Sequence, residues 1–157
     1  MATKKTEQPI KLKYGRTLAY AEYGNPEGKP ILEFHGNPSS RLGSELFDEA
    51  AKEMGIRVIG IDRPGMGFSD YRNGRNLPDW PEDLLELVEA LAIERFPMVG
   101  GSEGLPSVLM CKYKISEQLS AFDVLIGPTN PDSPGRQDGW ISLPPNNVED
   151  ILGALVR

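Results

Sequence analysis

The residue pattern with the clearest chemical content is a glycine-flanked serine. Residues 100–104 (GGSEG) satisfy the spacing G-x-S-x-G, with Ser102 at the centre. An apolar run typical of a strand precedes them, and a run with helical spacing follows. A serine on such a strand-to-helix turn presents its hydroxyl at a helix N-terminus, where free N–H groups can stabilise an anion. The pattern favours a serine nucleophile. For the pentapeptide alone, the odds between a nucleophile and a plain glycine-rich turn are about even.

A second loop, at residues 35–40 (HGNPSS), follows the predicted buried strand at 31–36. Such a loop can present the backbone N–H of Asn37 towards the serine turn. Together with the N–H of Glu103, it would form an oxyanion hole. His35 is the chain's single histidine. We interpret it as a brace of this loop, because a general base must reach its nucleophile at about 2.6–3.2 Å.

A third segment, at residues 62–70 (DRPGMGFSD), follows another apolar strand. It is close to a dinucleotide-binding fingerprint, but Asp70 stands where the third glycine belongs. A structural turn is therefore the prediction here.

Composition limits the function classes. The 157 residues carry 17 basic and 23 acidic side chains, a net charge of −6, which disfavours partners that need a basic face, such as nucleic acid. No apolar run approaches the ~18 residues of a membrane span, and no signal peptide is recognisable. The single cysteine, Cys111, excludes an intrachain disulfide and a cysteine zinc cluster. We expect a cytoplasmic protein with no metal and no organic cofactor.

The elements that must position these motifs alternate between strands and helices. Residues 1–10 are expected to be flexible, and residues 11–127 form the core, which opens with a hairpin of strands at 11–14 and 17–23. Residues 128–157 are read as a linker and the start of a cap-like helix. Strands are further predicted at 31–36, 57–62, 96–100 and 120–126, and helices at 44–54, 81–93 and 105–113. Asp79 is the predicted cap of the helix at 81–93, and Asn147 is the predicted cap of a last helix at 148–157. The fold class is α/β, a mostly parallel sheet with helices on both faces.

The three motifs in this order resemble the α/β-hydrolase fold superfamily, in its lipase, esterase and proline-iminopeptidase-like branch. The resemblance covers roughly residues 17–130. It implies a hydrolase of esters or related acyl bonds, with a small-molecule ester or amide as substrate. Ser102 matches the family's nucleophile, Asn37 and Glu103 match its oxyanion donors, and Gly100 and Gly104 match the glycines of the serine turn.

The loop at 35–40 is also similar to that of haloalkane dehalogenases. Those enzymes need an aspartate nucleophile, and here Ser102 occupies that position. Glu103 departs from the small residue that many serine relatives carry there, and its carboxylate would oppose developing negative charge unless it points away or is paired.

The family's acid and histidine lie beyond the matched region, and no histidine follows Ser102. About six of the eight strands of the fold can be placed. One hypothesis is a C-terminally truncated, impaired hydrolase that self-associates through an exposed sheet edge. A second is a working hydrolase whose base is His35 or comes from a partner chain. A third is a non-catalytic α/β module that binds a small ligand or a protein.

Overall fold

A single six-stranded sheet organises the chain. The computed structural model describes residues 6–125 and 148–156. The strands are Gln8–Lys11 (β1), Thr17–Gly24 (β2), Lys29–Phe34 (β3), Ile56–Ile61 (β4), Phe96–Gly101 (β5) and Leu119–Leu125 (β6). Their order is β1-β2-β4-β3-β5-β6. β2 is antiparallel to both of its neighbours, and the other four strands run parallel to one another.

Helices cover both faces of this sheet. They are Asp48–Glu53 (α1), Trp80–Ala90 (α2), Leu105–Lys114 (α3) and Val148–Val156 (α4). Alternate residues of a strand point to opposite faces, so Leu32 packs in the core beneath α2 and α3, whereas Ile31 packs beneath α1 and α4. The expected α/β class, a mostly parallel sheet with helices on both faces, is confirmed.

Three boundaries differ from the sequence prediction. The first strand is β1 at 8–11, not 11–14, because Leu12 is buried and opens a turn that its N–H closes onto the Arg16 carbonyl. The helix predicted at 44–54 is a 3-10 turn, Arg41–Phe47, followed by the short α1. Asp79 does not cap α2 through its side chain; its carboxylate accepts the Asn76 N–H of the preceding turn instead.

The register of the parallel strands brings three loops together. Phe34 pairs with Ile61 on one side and with Gly100 on the other. The carboxyl ends of β3, β4 and β5 therefore lie side by side, and each is followed by one of the motifs singled out in the sequence. The linker and the proposed Asn147 cap lie outside the described residues.

Candidate active site

Ser102 occupies a backbone conformation that few non-glycine residues adopt. β5 ends at Gly101, a 3-10 turn spans Ser102–Gly104, and α3 begins at Leu105. The φ of Ser102 is +47°, in a region that costs a non-glycine residue on the order of 1–3 kcal/mol and persists only where the surroundings enforce it. The Leu105 N–H donates to the Ser102 carbonyl, which fixes the peptide group that follows the serine.

Glycines allow this turn to pack backbone against backbone. A Cβ on Gly104 would lie 2.1 Å from the Phe34 carbonyl oxygen, and one on Gly100 would lie 2.6 Å from Val108 Cγ2. A Cβ on Gly36 would lie 3.0 Å from Ser102 Cβ. The loop after β3 thus lies directly against the serine.

His35 braces its own loop. Its Nδ1 lies 2.7 Å from the Gly36 carbonyl oxygen, and because a carbonyl can only accept, Nδ1 carries the hydrogen. The residue is 2% exposed, and burial lowers the pKa of His35, which favours the neutral ring. Its Nε2 is buried and forms no hydrogen bond with Ser102 or any other described residue.

Arg63 connects the two loops that flank the serine. It directly follows Asp62 at the end of β4 and is 7% exposed. Its Nη1 donates to the Glu103 carbonyl at 2.9 Å, and its Nη2 donates to the Gly36 carbonyl at 3.4 Å. The sequence pattern predicts only a turn in this segment and does not indicate these contacts. The available signal was a cation at the carboxyl end of a strand adjacent to the serine strand.

The Glu103 carboxylate has a counter-ion. Arg63 Nη2 lies 3.9 Å from Glu103 Oε2, and the Glu103 side chain is 58% exposed. Burial lowers the pKa of Arg63, and the nearby carboxylate counteracts that effect. The negative charge beside Ser102 is therefore both solvated and paired, which reduces the repulsion expected from the sequence.

Asp62 forms the base of the turn that carries Arg63. Its fully buried carboxylate accepts the Arg41 N–H and Arg41 Nη1, each at 2.7 Å, and the Phe68 N–H at 2.8 Å. A Cβ on Gly67 would lie 1.9 Å from Asp62 Oδ2, so the loop wraps closely around this carboxylate. The segment at 62–70 is a rigid support for the site.

Glu33 is a buried carboxyl group two residues before His35. It is 7% exposed and accepts the Ser44 hydroxyl at 2.8 Å. Burial raises the pKa of Glu33 to about 7, against the lowering effects of the Ser44 hydrogen bond and the Arg63 charge. Sequence reasoning missed this group, which was visible only as a carboxylate within an apolar strand.

We expect the stability of the chain to depend on Glu33 protonation. The pKa of Glu33 is about 7 in the folded chain against an ordinary 4.5. The folded state therefore binds more protons between these values, and the free energy of unfolding falls as pH rises through this interval. The loss should reach roughly 3 kcal/mol. Urea unfolding at pH 5 and pH 8 measures it.

Glu33→Gln should remove most of this dependence, because the amide accepts the Ser44 hydroxyl without titrating. The free energy of unfolding of the variant should exceed that of wild type at pH 8, and the two values should be closer to each other at pH 5. Glu27→Gln, at an exposed turn, is the matched control and should leave the pH profile unchanged. Equal pH dependence in Glu33→Gln and wild type would contradict the assignment.

Residues 6–125 and 148–156 hold no group of three or more histidine, cysteine, aspartate or glutamate side chains arranged to bind a metal ion. No helix in the described ranges has the length and apolarity to cross a membrane. Cys111 is fully buried in α3, and burial raises the pKa of its thiol to about 12, so it remains protonated at neutral pH.

Known proteins share both sequence and fold with this chain. It is 35% identical over 92 residues to a proline iminopeptidase of Xylella fastidiosa, a match that covers 55% of this chain and 28% of that protein. It is 31% identical over 90 residues to the 3-oxoadipate enol-lactonase 1 of Acinetobacter baylyi, covering 57% of this chain and 34% of the relative. The chain thus spans about a third of the length of these curated relatives. No protein-family model matches it.

A comparison with solved structures finds hydrolases with a similar fold. The crystal structure of a hydrolase from Pseudomonas aeruginosa superposes with a TM-score of 0.69 at 21% identity, covering 76% of this chain and 45% of that one. The six-stranded order and the helices on both faces correspond to an incomplete form of that fold. The chain thus has an incomplete α/β-hydrolase fold, and its sequence is similar to those of curated hydrolases with that fold.

Proposed function

We propose that this chain supplies the nucleophile and the oxyanion hole of a serine hydrolase acting on carboxylic esters or related acyl bonds. The observation that carries the proposal is the positive φ of Ser102 on a strand-to-helix turn packed against Gly36. Strain of this kind concentrates at functional sites. The names of the two relatives, an iminopeptidase and a lactonase, support acyl bonds of small molecules as the substrate class.

The proposed reaction begins with attack of Ser102 Oγ on the substrate carbonyl carbon. As that bond forms, the carbonyl electron pair moves onto oxygen, and the backbone N–H groups of Asn37 and Glu103 stabilise the resulting oxyanion. The serine proton needs a base. His35 is the chain's single histidine, and its hydrogen bond to Gly36 engages it as a brace. We infer that the base and its orienting acid come from outside the described residues, and that without them repeated turnover of substrate is impaired, whereas a single reaction of Ser102 with a strongly electrophilic probe remains measurable.

Reaction with a fluorophosphonate probe tests the nucleophile. We expect one adduct per chain by intact-mass spectrometry, lost in Ser102→Ala and retained in Ser116→Ala, an exposed serine near the far end of α3. An adduct that persists in Ser102→Ala would contradict the assignment. The absence of any adduct on a cooperatively folded sample would remove the catalytic proposal.

A second candidate, a non-catalytic binding module, is favoured by one observation. His35 Nε2 makes no hydrogen bond to Ser102, so among the residues that the structure describes no histidine base reaches the serine. A binding module predicts that a ligand raises the melting temperature equally in wild type and Ser102→Ala. A ligand effect that requires the Ser102 hydroxyl would count against it.

We also propose a cytoplasmic location.

We further propose that copies of this chain associate with one another through the edge of the sheet at β6. β6 is the last strand in the described sheet order, and an unpaired strand edge is a template for another chain. Light scattering should detect dimers or larger species. A monodisperse monomer would overturn the self-association proposal.

A further inference from the structure

We propose that Arg63 is a positioning residue that holds the two oxyanion-donor segments in register. The inference rests on the proposed function, since it concerns how Asn37 and Glu103 come to face one site. Arg63 donates to carbonyl oxygens of both segments, although 40 residues separate it from one of them and 27 from the other. It reaches them from a third loop, the one after β4.

The geometry of the peptide bond makes the Gly36 contact consequential. In a planar trans peptide, the carbonyl and the N–H point in opposite directions. The Gly36 carbonyl and the Asn37 N–H belong to one such group. His35 Nδ1 and Arg63 Nη2 hold that carbonyl at 2.7 and 3.4 Å, so the Asn37 N–H must point away from both.

The other donor, the Glu103 N–H, lies in a segment that is also held through its carbonyl oxygens. The Glu103 N–H shares its peptide group with the Ser102 carbonyl, which accepts the Leu105 N–H. Arg63 Nη1 holds the next carbonyl, that of Glu103, at 2.9 Å. The Asn37 and Glu103 N–H groups therefore belong to segments whose carbonyl oxygens are held by hydrogen bonds. The Arg63 guanidinium donates to one carbonyl oxygen in each of these two segments.

The chemistry of arginine suits this role. A guanidinium presents several N–H donors in a rigid planar fork, whereas a lysine ammonium is a point donor on a flexible stem. The Arg63 side chain is 9% exposed and lies 3.9 Å from the Glu103 carboxylate, so its position is fixed by burial and charge. Hydrogen bonds to a carbonyl also polarise the N–H of the same peptide group, which improves the donor.

The first test is the second-order rate of fluorophosphonate labelling. Loss of one oxyanion donor lowers rates by about 10²–10³-fold, and misorientation of two donors in Arg63→Met should lower the rate by roughly 10–100-fold on the same scale. Arg63→Lys should recover little of this. Added guanidinium ion should partly rescue Arg63→Met. Arg75→Met is the matched control, because Arg75 bonds the Pro64 carbonyl rather than the serine turn.

A second readout does not depend on serine reactivity. The backbone ¹⁵N shifts of Asn37 and Gly104 report hydrogen bonding at the Gly36 and Glu103 carbonyls, with which these nitrogens share peptide groups. Both should shift in Arg63→Met and stay unchanged in Arg75→Met. If Arg63→Met does not fold, Arg63→Gln takes its place.

The outcomes separate the two proposals. If wild type is not labelled, the proposed function fails and the ¹⁵N shifts alone decide whether Arg63 holds both segments. If wild type is labelled but the rate in Arg63→Met is unchanged, or its loss is not rescued by guanidinium, the positioning role is overturned. Unchanged ¹⁵N shifts would overturn it as well.

Discussion

Gly104→Ala is expected to destabilise the folded chain by at least about 3 kcal/mol. The added methyl carbon would lie 2.1 Å from the Phe34 carbonyl oxygen and 2.9 Å from its carbon. Neither atom can move away cheaply, because β3 is hydrogen-bonded to β4 and β5 on its two sides. Urea unfolding followed by circular dichroism would measure the loss.

Gly153→Ala is the matched control. A Cβ there meets only Met54 Cε at 3.8 Å, an ordinary contact, inside α4. Alanine in a helix is favoured over glycine by about 1 kcal/mol, so this variant should gain stability. Should Gly104→Ala lose less than about 1 kcal/mol, the close packing of the serine turn against β3 would be wrong. A Gly104→Ala sample that folds should also label more slowly at Ser102, since the displaced turn no longer enforces its φ.

The sheet and its helices were predictable because their signals are local. β3, β4 and β5 are short apolar runs that end in glycine or turn residues, and the helices between them show apolar spacing typical of amphipathic segments. The sequence motifs indicated that the loop after β3 faces the serine turn. The two do lie together, with Gly36 against Ser102.

The contacts that support the site were not predictable from such signals. Arg63 reaches Glu103 across 40 residues, and Asp62 reaches Arg41 across 21. Periodicity and turn chemistry report neighbours within a few residues, so they cannot pair side chains from separate loops. The burial of Glu33 was hidden for the same reason, since the polar partner that satisfies it, Ser44, lies in another element.

The position of the first strand shows a different limit. Residues 11–14 (KLKY) alternate polar and apolar side chains, whereas residues 8–11 (QPIK) do not, so alternation alone favoured the wrong segment. The choice is made by pairing with β2, where Gln8 lies opposite Tyr20 and Lys11 opposite Thr17. That register leaves Leu12 free to turn into the core.

Asp62→Asn is expected to cost roughly 3–5 kcal/mol, the range for breaking a buried ion pair on one side only. The Arg41 side chain is 4% exposed and the Asp62 side chain is 0% exposed, so the remaining cation would lose its counter-ion in a site that water does not reach. The Phe68 ring, 4.4 Å from the Arg41 guanidinium carbon, offers only partial compensation. Thermal and urea unfolding would both report the loss.

A double-variant cycle distinguishes the buried charge from the loss of hydrogen bonds. Arg41→Met combined with Asp62→Asn removes both charges, while the single amide oxygen can still accept one of the two backbone N–H groups. The pair should therefore be less destabilised than the sum of the single variants. Lys52→Met, which breaks an exposed ion pair with Asp48, should cost less than about 1 kcal/mol. Strict additivity in the cycle would contradict a coupled buried pair. Because Asp62 anchors the turn that carries Arg63, Asp62→Asn should also slow labelling at Ser102 in samples that remain folded.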